Sequence, residues 1–362
     1  MRKSVITLIA FVCSWMLFST SAFGKEEPKK EWAFLVFLNG HNNLDHFGSM
    51  NIKQMEQIGS TEDIDIVVQW AYSGNKTTKR IHVEKSTNAS EVTSPVIEDL
   101  PRVDMGDYKQ LVDFVKWASE KYPAKKYFIN VWNHGSGWHI MKKAGPIAIT
   151  DISYDDFSGH RITTEQLAVA MKEISTMLGS KIELYGSDAC LMAMAEVTAQ
   201  MADSVKFFSG SQEVEPGEGW PYEQFLERWS KNPNIDGGQL GIILSEEYLK
   251  AYSGGIYGTQ DVTFSTIDLQ KIELLHNAFA ELSRELAKLN KDSLLALKRI
   301  AEKTQAFSLS DYKDAHDFIN LIQKSEKLSV RSEVLDNARK ALQSVVISNQ
   351  TSPSFQRAFG LA

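Results

Sequence analysis

At 362 residues, with 43% hydrophobic and 23% charged side chains, the chain can bury one large core or two modest ones, and its composition is globular rather than disordered. The formal net charge is −7, and loss of Arg2 and Lys3 with a cleaved leader would make it −9. That balance excludes the electrostatic footprint of a nucleic-acid binder, which must neutralise phosphates, and suits a positively charged substrate.

The chain opens on Met1-Arg2-Lys3, an apolar run from Val5 to Phe18, and Ser19-Thr20-Ser21-Ala22-Phe23-Gly24. A basic start, an apolar stretch and small residues at Ala22 and Gly24 predict a signal peptide over 1–24, with export to a periplasm or the cell exterior. An uncleaved anchor is the alternative, yet the run is shorter than the ~20 residues a spanning helix needs. Val12 is also not the small residue that a lipoprotein signal would place before Cys13. Cys13 leaves with the leader, so the mature chain keeps one thiol, Cys190. Exported proteins usually pair their cysteines, so a single one is either buried and structural or needed for function.

After the charged linker from Lys25 to Lys30, Trp32 to Asn39 is almost continuously apolar, as in a strand covered on both faces. Asp65 to Trp70 and Arg80 to Glu84 read as further strands. Leu111, Phe114, Val115 and Ala118 give helical spacing to Asp107–Lys121, with Asp107 near its start and Pro123 as its stop. Tyr127 to Trp132 is another buried strand. Thr163 to Leu178 reads as a helix, with Thr163 or Thr164 as its N-cap. Ile182 to Tyr185 reads as a strand, Met192 to Met201 as a helix, and Val205 to Gly210 as a strand. This alternation predicts an α/β fold, a mostly parallel sheet flanked by helices on both faces. Beyond Trp220 the pattern turns helical, with one strand from Val262 to Ile267. The chain therefore divides into an α/β part over 25–230 and a helix-rich part over 231–362.

Two strand ends carry chemistry. Tyr127 to Trp132 leads into Asn133-His134-Gly135-Ser136-Gly137, where glycines let backbone approach a ligand closely. Ile182 to Tyr185 leads through Gly186 and Ser187 to Asp188-Ala189-Cys190 and the expected helix. A helix N-terminus would lower the thiol pKa from its free value of about 8.5, favouring the nucleophilic thiolate. If the two strands are close neighbours, His134 can serve Cys190 as general base, and the N–H groups of Gly135 and Cys190 can form an oxyanion hole. Each residue has a plain structural reading, a loop His and a core Cys. Their joint occurrence at two strand ends favours the chemical one. No third member is evident, and a thiol needs an orienting carboxylate less than a serine does.

At these residues the chain resembles the clostripain family of cysteine peptidases, relatives of caspases, legumains and gingipains. The likeness rests on His134-Gly135 and Asp188-Ala189-Cys190-Leu191-Met192. It extends to Asn39-Gly40-His41-Asn42-Asn43-Leu44, to Met105-Gly106-Asp107, and to the run from Gly210 to Tyr222. It covers roughly 30–225. His41 stands where the family often has Asp and is taken as structural. In relatives a Gly-Leu like Gly360-Leu361 opens a further strand, so the chain is either naturally short or truncated.

The resemblance implies a caspase-like fold and endopeptidase activity after Arg, perhaps Lys, on peptide or protein substrates. It also implies Asp188 as the acid of the pocket for the basic side chain, with Glu218 as the candidate second acid. Guanidinium recognition does call for carboxylates at such a site. A solvated acidic loop is the other reading of Glu213, Glu215 and Glu218. Zymogen processing between the His and Cys strands is implied too, here after Lys143 or otherwise after Arg161. No cofactor is required. Calcium is implied for some relatives, but Asp151, Asp155 and Asp156 fit no standard Ca²⁺ loop and read better as a solvated acidic turn.

The expected protein is an exported monomer that, once the leader is gone, binds neither membrane nor nucleic acid. The rival is an exported binding or scaffold protein with the same fold and a silent site. A metal hydrolase is poorly supported, since the eight histidines include no His-x-x-x-His pair.

Overall fold

The computed structural model describes residues 29–74, 76–88, 90–138 and 151–362. The leader and Lys143 lie outside them.

In chain order the elements are β1 (Lys30–Gly40), α1 (Asp45–Ile58), β2 (Ile64–Tyr72), β3 (Thr77–His82), β4 (Val96–Pro101), α2 (Tyr108–Lys121) and β5 (Ala124–Trp132). There follow α3 (Thr164–Leu178), β6 (Ile182–Asp188), α4 (Ala195–Met201), β7 (Val205–Gly210), α5 (Tyr222–Ser230) and α6 (Gly237–Tyr252). A small hairpin, β8 (Ser253–Gly255) with β9 (Gly258–Thr259), precedes β10 (Thr263–Asp268). The chain closes with α7 (Ile272–Leu286), α8 (Lys291–Lys303), α9 (Ala315–Gln323), α10 (Ser332–Val345) and β11 (Val346–Thr351).

One nine-stranded sheet runs β11-β10-β7-β6-β5-β1-β2-β3-β4. Its middle, β7-β6-β5-β1-β2, is parallel, and antiparallel strands extend it at both edges. The expected mostly parallel sheet is present. The division drawn at residue 230 does not coincide with a break in this sheet, because β10 and β11 continue it.

β1 explains why its sequence is continuously apolar. Ala33, Leu35 and Phe37 face one hydrophobic cluster with α2, α3 and α10, whereas Trp32, Phe34, Val36 and Leu38 face another with α1, α5 and α6. All seven are fully buried, each large one contributing about 1.5–3 kcal/mol. The caps follow the local chemistry. Asp107 accepts from Lys109 N at the start of α2, and Thr163 and Gln166 form a reciprocal capping box on α3.

The chain steps outward from β1 through β2, β3 and β4, then returns along α2 to the other side of β1 and proceeds to β5, β6 and β7. Strand order therefore reverses at the β1/β5 boundary. Ligands of open parallel sheets bind beyond the carboxyl ends of strands at such a point.

Candidate active site

Register brings the two chemical strand ends level. β5 and β6 are parallel neighbours with Trp132 opposite Asp188, and Asn133 N donates to Asp188 O at 3.2 Å. His134 and Cys190 each lie two residues past that matched pair. Both line one cavity of about 140 Å³, together with Trp132, Asp188, Glu215 and Gly219.

Gly135 allows the two loops to touch. A Cβ there would lie 2.5 Å from Cys190 O and 3.0 Å from Ala189 Cβ, so any side chain forces the loops apart. Gly135→Ala is expected to lower kcat/KM at least about tenfold, as small misplacements of reacting groups do. Fluorogenic peptide hydrolysis checks this, and wild-type rates in a folded variant would refute it. Among the described residues Gly135 N has no hydrogen-bond acceptor, and Cys190 N is directed at its own thiol.

The loop after β1 reaches His134. Asn42 Oδ1 accepts from Leu44 N at 3.0 Å and Asn42 Nδ2 donates to Tyr154 O at 2.8 Å, which fixes the turn presenting Asn43. Asn43 Oδ1 accepts from His134 Nε2 at 2.7 Å. That bond places the hydrogen on Nε2 and leaves Nδ1 as the basic nitrogen. Burial lowers the His134 pKa, and the negative Asp156 only partly opposes it. Asn43 lies in the family-like stretch Asn39 to Leu44, and nothing in its spacing marks it as the imidazole's partner.

The thiol environment differs from expectation. Cys190 does not open a helix, since α4 begins five residues later, at Ala195. The intervening segment is held instead by the loop after β7, where Leu191 N donates to Glu213 O at 3.1 Å and Ala193 N to Ser211 O at 2.8 Å. Leu191 takes a left-handed backbone, φ 60°, a strained turn directly after the thiol. No helix dipole lowers the Cys190 pKa. Burial raises it, although Glu215 N donates to Sγ at 3.3 Å. Both shifts favour the neutral forms, thiol and imidazole, near neutral pH.

Below the thiol lie two crowded carboxyls. Asp188 Oδ2 accepts from Tyr222 Oη at 2.6 Å and Trp220 N at 3.4 Å, and burial pushes its pKa up to about 7. Gly219 closes over it, since a Cβ there would lie 2.9 Å from Asp188 Oδ1. Glu215 Oε2 accepts from Trp220 Nε1 at 3.2 Å, Oε1 is sealed from solvent, and the carboxyl is hydrogen-bonded to that of Asp188. Burial first, and Asp188 next, raise the Glu215 pKa well above the usual carboxylate range. The cavity is thus lined by Glu215 and not by Glu218, whose main-chain oxygen accepts from Asn51 Nδ2 at 3.0 Å. The second acid at the cavity is therefore Glu215 in place of the expected Glu218.

His41 is buried, with Nδ1 2.7 Å from Asp155 Oδ2. Asp155 also accepts from Met105 N, Phe157 N and Ser158 N. Asp151 and Asp155 are buried, so they do not form a solvated acidic turn. No cluster of three or more acidic, His or Cys side chains suited to a metal occurs among the described residues. Arg161 is half-buried, with Nε 3.5 Å from Asp151 Oδ2.

The sequence pattern of the clostripain family, peptidase family C11, matches residues 36–360. The chain belongs to the clostripain family. It is 28% identical over 291 residues to clostripain of Hathewaya histolytica, covering 69% of this chain and 54% of that one. It thus spans about half the length of that curated relative. Clostripain-family folds are also seen among solved structures. A secreted C11 cysteine protease of Bacteroides thetaiotaomicron bound to an irreversible peptide inhibitor shares 20% identity, with TM-score 0.68, over 89% of this chain and 85% of that one. An inactive zymogen C11 protease of Parabacteroides distasonis shares 16%, with TM-score 0.65, over 90% and 85%. No helix among the described residues is long and apolar enough to cross a membrane.

Proposed function

We propose that this chain is an exported cysteine endopeptidase that cleaves peptides and proteins after basic residues, with Cys190 as nucleophile and His134 as base. The strand register carries the reading: it sets imidazole and thiol level at the rim of one cavity that has acids at its floor.

His134 Nδ1 takes the thiol proton as Sγ attacks the scissile carbonyl carbon. The N–H groups of Gly135 and Cys190 receive the oxyanion. Collapse expels the amine, which takes the proton from His134, and leaves a thioester on Cys190. A water deprotonated by His134 then attacks the thioester, releasing the carboxylic acid and restoring the thiol. Asn43 holds the imidazole where a carboxylate often does. Asp188, with Glu215 beside it, receives the guanidinium or ammonium of the substrate, and Glu218 is not among the residues that line the cavity.

The decisive experiment is turnover of Arg-, Lys- and Asp-terminated fluorogenic peptides by the reduced protein and by Cys190→Ala. Arg or Lys cleavage that the variant lacks is expected. No turnover, with the protein folded, would favour a silent scaffold.

Three further readings belong with this one. The protein matures by cutting its own chain after Lys143, or otherwise after Arg161, a reading supported by the zymogen described among its structural relatives. Purified Cys190→Ala should then stay intact while wild type splits, and equal splitting refutes it. Export rests on the leader pattern and on relatives described as secreted. Activity is expected to survive EDTA, with calcium at most an accessory.

A further inference from the structure

The loop between α8 and α9 touches the His134 loop directly and is linked to the Cys190 segment through Glu213. It closes on itself through an Ala306–Lys313 bridge and Phe307 N donating to Tyr312 O at 3.3 Å. From its closed end, Tyr312 Oη donates to Ser136 O, two residues after His134. Tyr312 is 2% exposed, its ring lies 5.8 Å from that of Trp138, and a Cβ on Gly137 would sit 2.7 Å from its oxygen. On its other limb, Ser308 N donates to Glu213 Oε2 at 3.0 Å, and Ser308 Oγ donates to the same carboxylate. Glu213 O in turn accepts from Leu191 N, the residue after the thiol. The base of the loop is also fixed, since Asp314 Oδ2 accepts from Gln212 Nε2 at 3.1 Å and Phe359 N at 2.6 Å.

We propose that the 306–313 loop is a strap that sets the spacing of His134 and Cys190, with Tyr312 as its positioning residue. The proposal rests on the assignment of those two side chains as base and nucleophile. A segment more than one hundred residues downstream of Cys190 then governs proton transfer without touching substrate. A hydroxyl bonded to a main-chain oxygen suits the task, because it fixes backbone and leaves the His134 side chain free to move its proton.

The test uses the full reduced protein and two rates: hydrolysis of an Arg-terminated peptide, and alkylation of Cys190 by iodoacetamide at pH 7. Tyr312→Phe keeps the ring and removes the hydroxyl. It is expected to lower kcat roughly tenfold while KM changes less than about twofold. Alkylation should slow by a similar factor when His134 is present. In a His134→Ala background the same substitution should change alkylation less than about twofold, because there is no imidazole left to misplace. An equal effect in both backgrounds would reduce Tyr312 to a general stabiliser and overturn the proposal, as would unchanged kcat in folded Tyr312→Phe. If circular dichroism shows that this variant does not fold, Ser308→Ala, at an exposed position, is held to the same expected pattern. If wild type hydrolyses no peptide, the peptidase reading fails, and the His134-dependent difference in alkylation still decides the strap.

Discussion

Replacing His134 with Ala is expected to lower kcat for an Arg-terminated peptide by about 10²–10⁴, the range for removing a positioned general base. The size follows from the resting charge state. Burial holds His134 below the ordinary histidine range and Cys190 above the ordinary thiol range, so the thiol does not ionise unaided near neutral pH. In the variant, residual alkylation by iodoacetamide should climb with pH as thiolate forms, up to the raised thiol pKa. In wild type, imidazole assistance should hold the rate nearly level across the neutral range and lose it only at acid pH, as His134 protonates below the ordinary histidine range. A wild-type rate already at its plateau at pH 5, carried by a thiolate–imidazolium pair, would refute this account. The uncharged reagent matters, because it does not report on the acids of the pocket.

Asp188→Asn is expected to abolish most cleavage after Arg yet make the empty protein more stable at pH 8. The acid sits fully enclosed beside Glu215 with a pKa of about 7, against roughly 3.9 for an unfolded Asp. Its folded pKa is raised, so its contribution to stability is fully present below about pH 4 and is lost as pH rises through about 7. At pH 8 wild type holds a poorly solvated charge that awaits a cation. Asn keeps an oxygen for Tyr222 Oη and carries no charge. Its Tm should exceed that of wild type by at least about 2 °C at pH 8 and by little at pH 4, while kcat/KM for Arg peptides falls at least about a hundredfold. A variant less stable than wild type at pH 8 would contradict the unpaired-charge argument. Retained Arg cleavage would remove Asp188 from recognition. Glu215→Gln should share the stability pattern, since its carboxyl is raised for the same reasons.

The sheet was readable because buried strands such as β1 and β5 are almost unbroken apolar runs between breakers. Helix α1 was not readable. Its buried face includes Gly48, Asn51 and Glu56 beside only Ile52 and Met55, so no stripe stands out. β4 was hidden because this edge strand has no buried residue and carries Glu98, Asp99 and Pro101, residues that suit an unpaired edge. His134 and Cys190 could be picked out as strand-end residues, whereas the two-residue offset that levels them needs the Trp132–Asp188 register. The helix expected from Met192 to Met201 begins only at Ala195 because the 211–215 loop captures the N–H groups of Leu191 and Ala193, a long-range contact that no local propensity reveals. The choice between Glu215 and Glu218 turned on loop geometry in the same way.

Trp220 gives the pocket a built-in optical probe. Its indole is buried against Phe128 and Phe264, and its ring nitrogen is bonded to Glu215. A cation seated between the acids must redistribute charge within a few ångströms of that chromophore. Occupancy should therefore shift the emission of an unlabelled sample, even when the nucleophile has been removed and nothing can be cut.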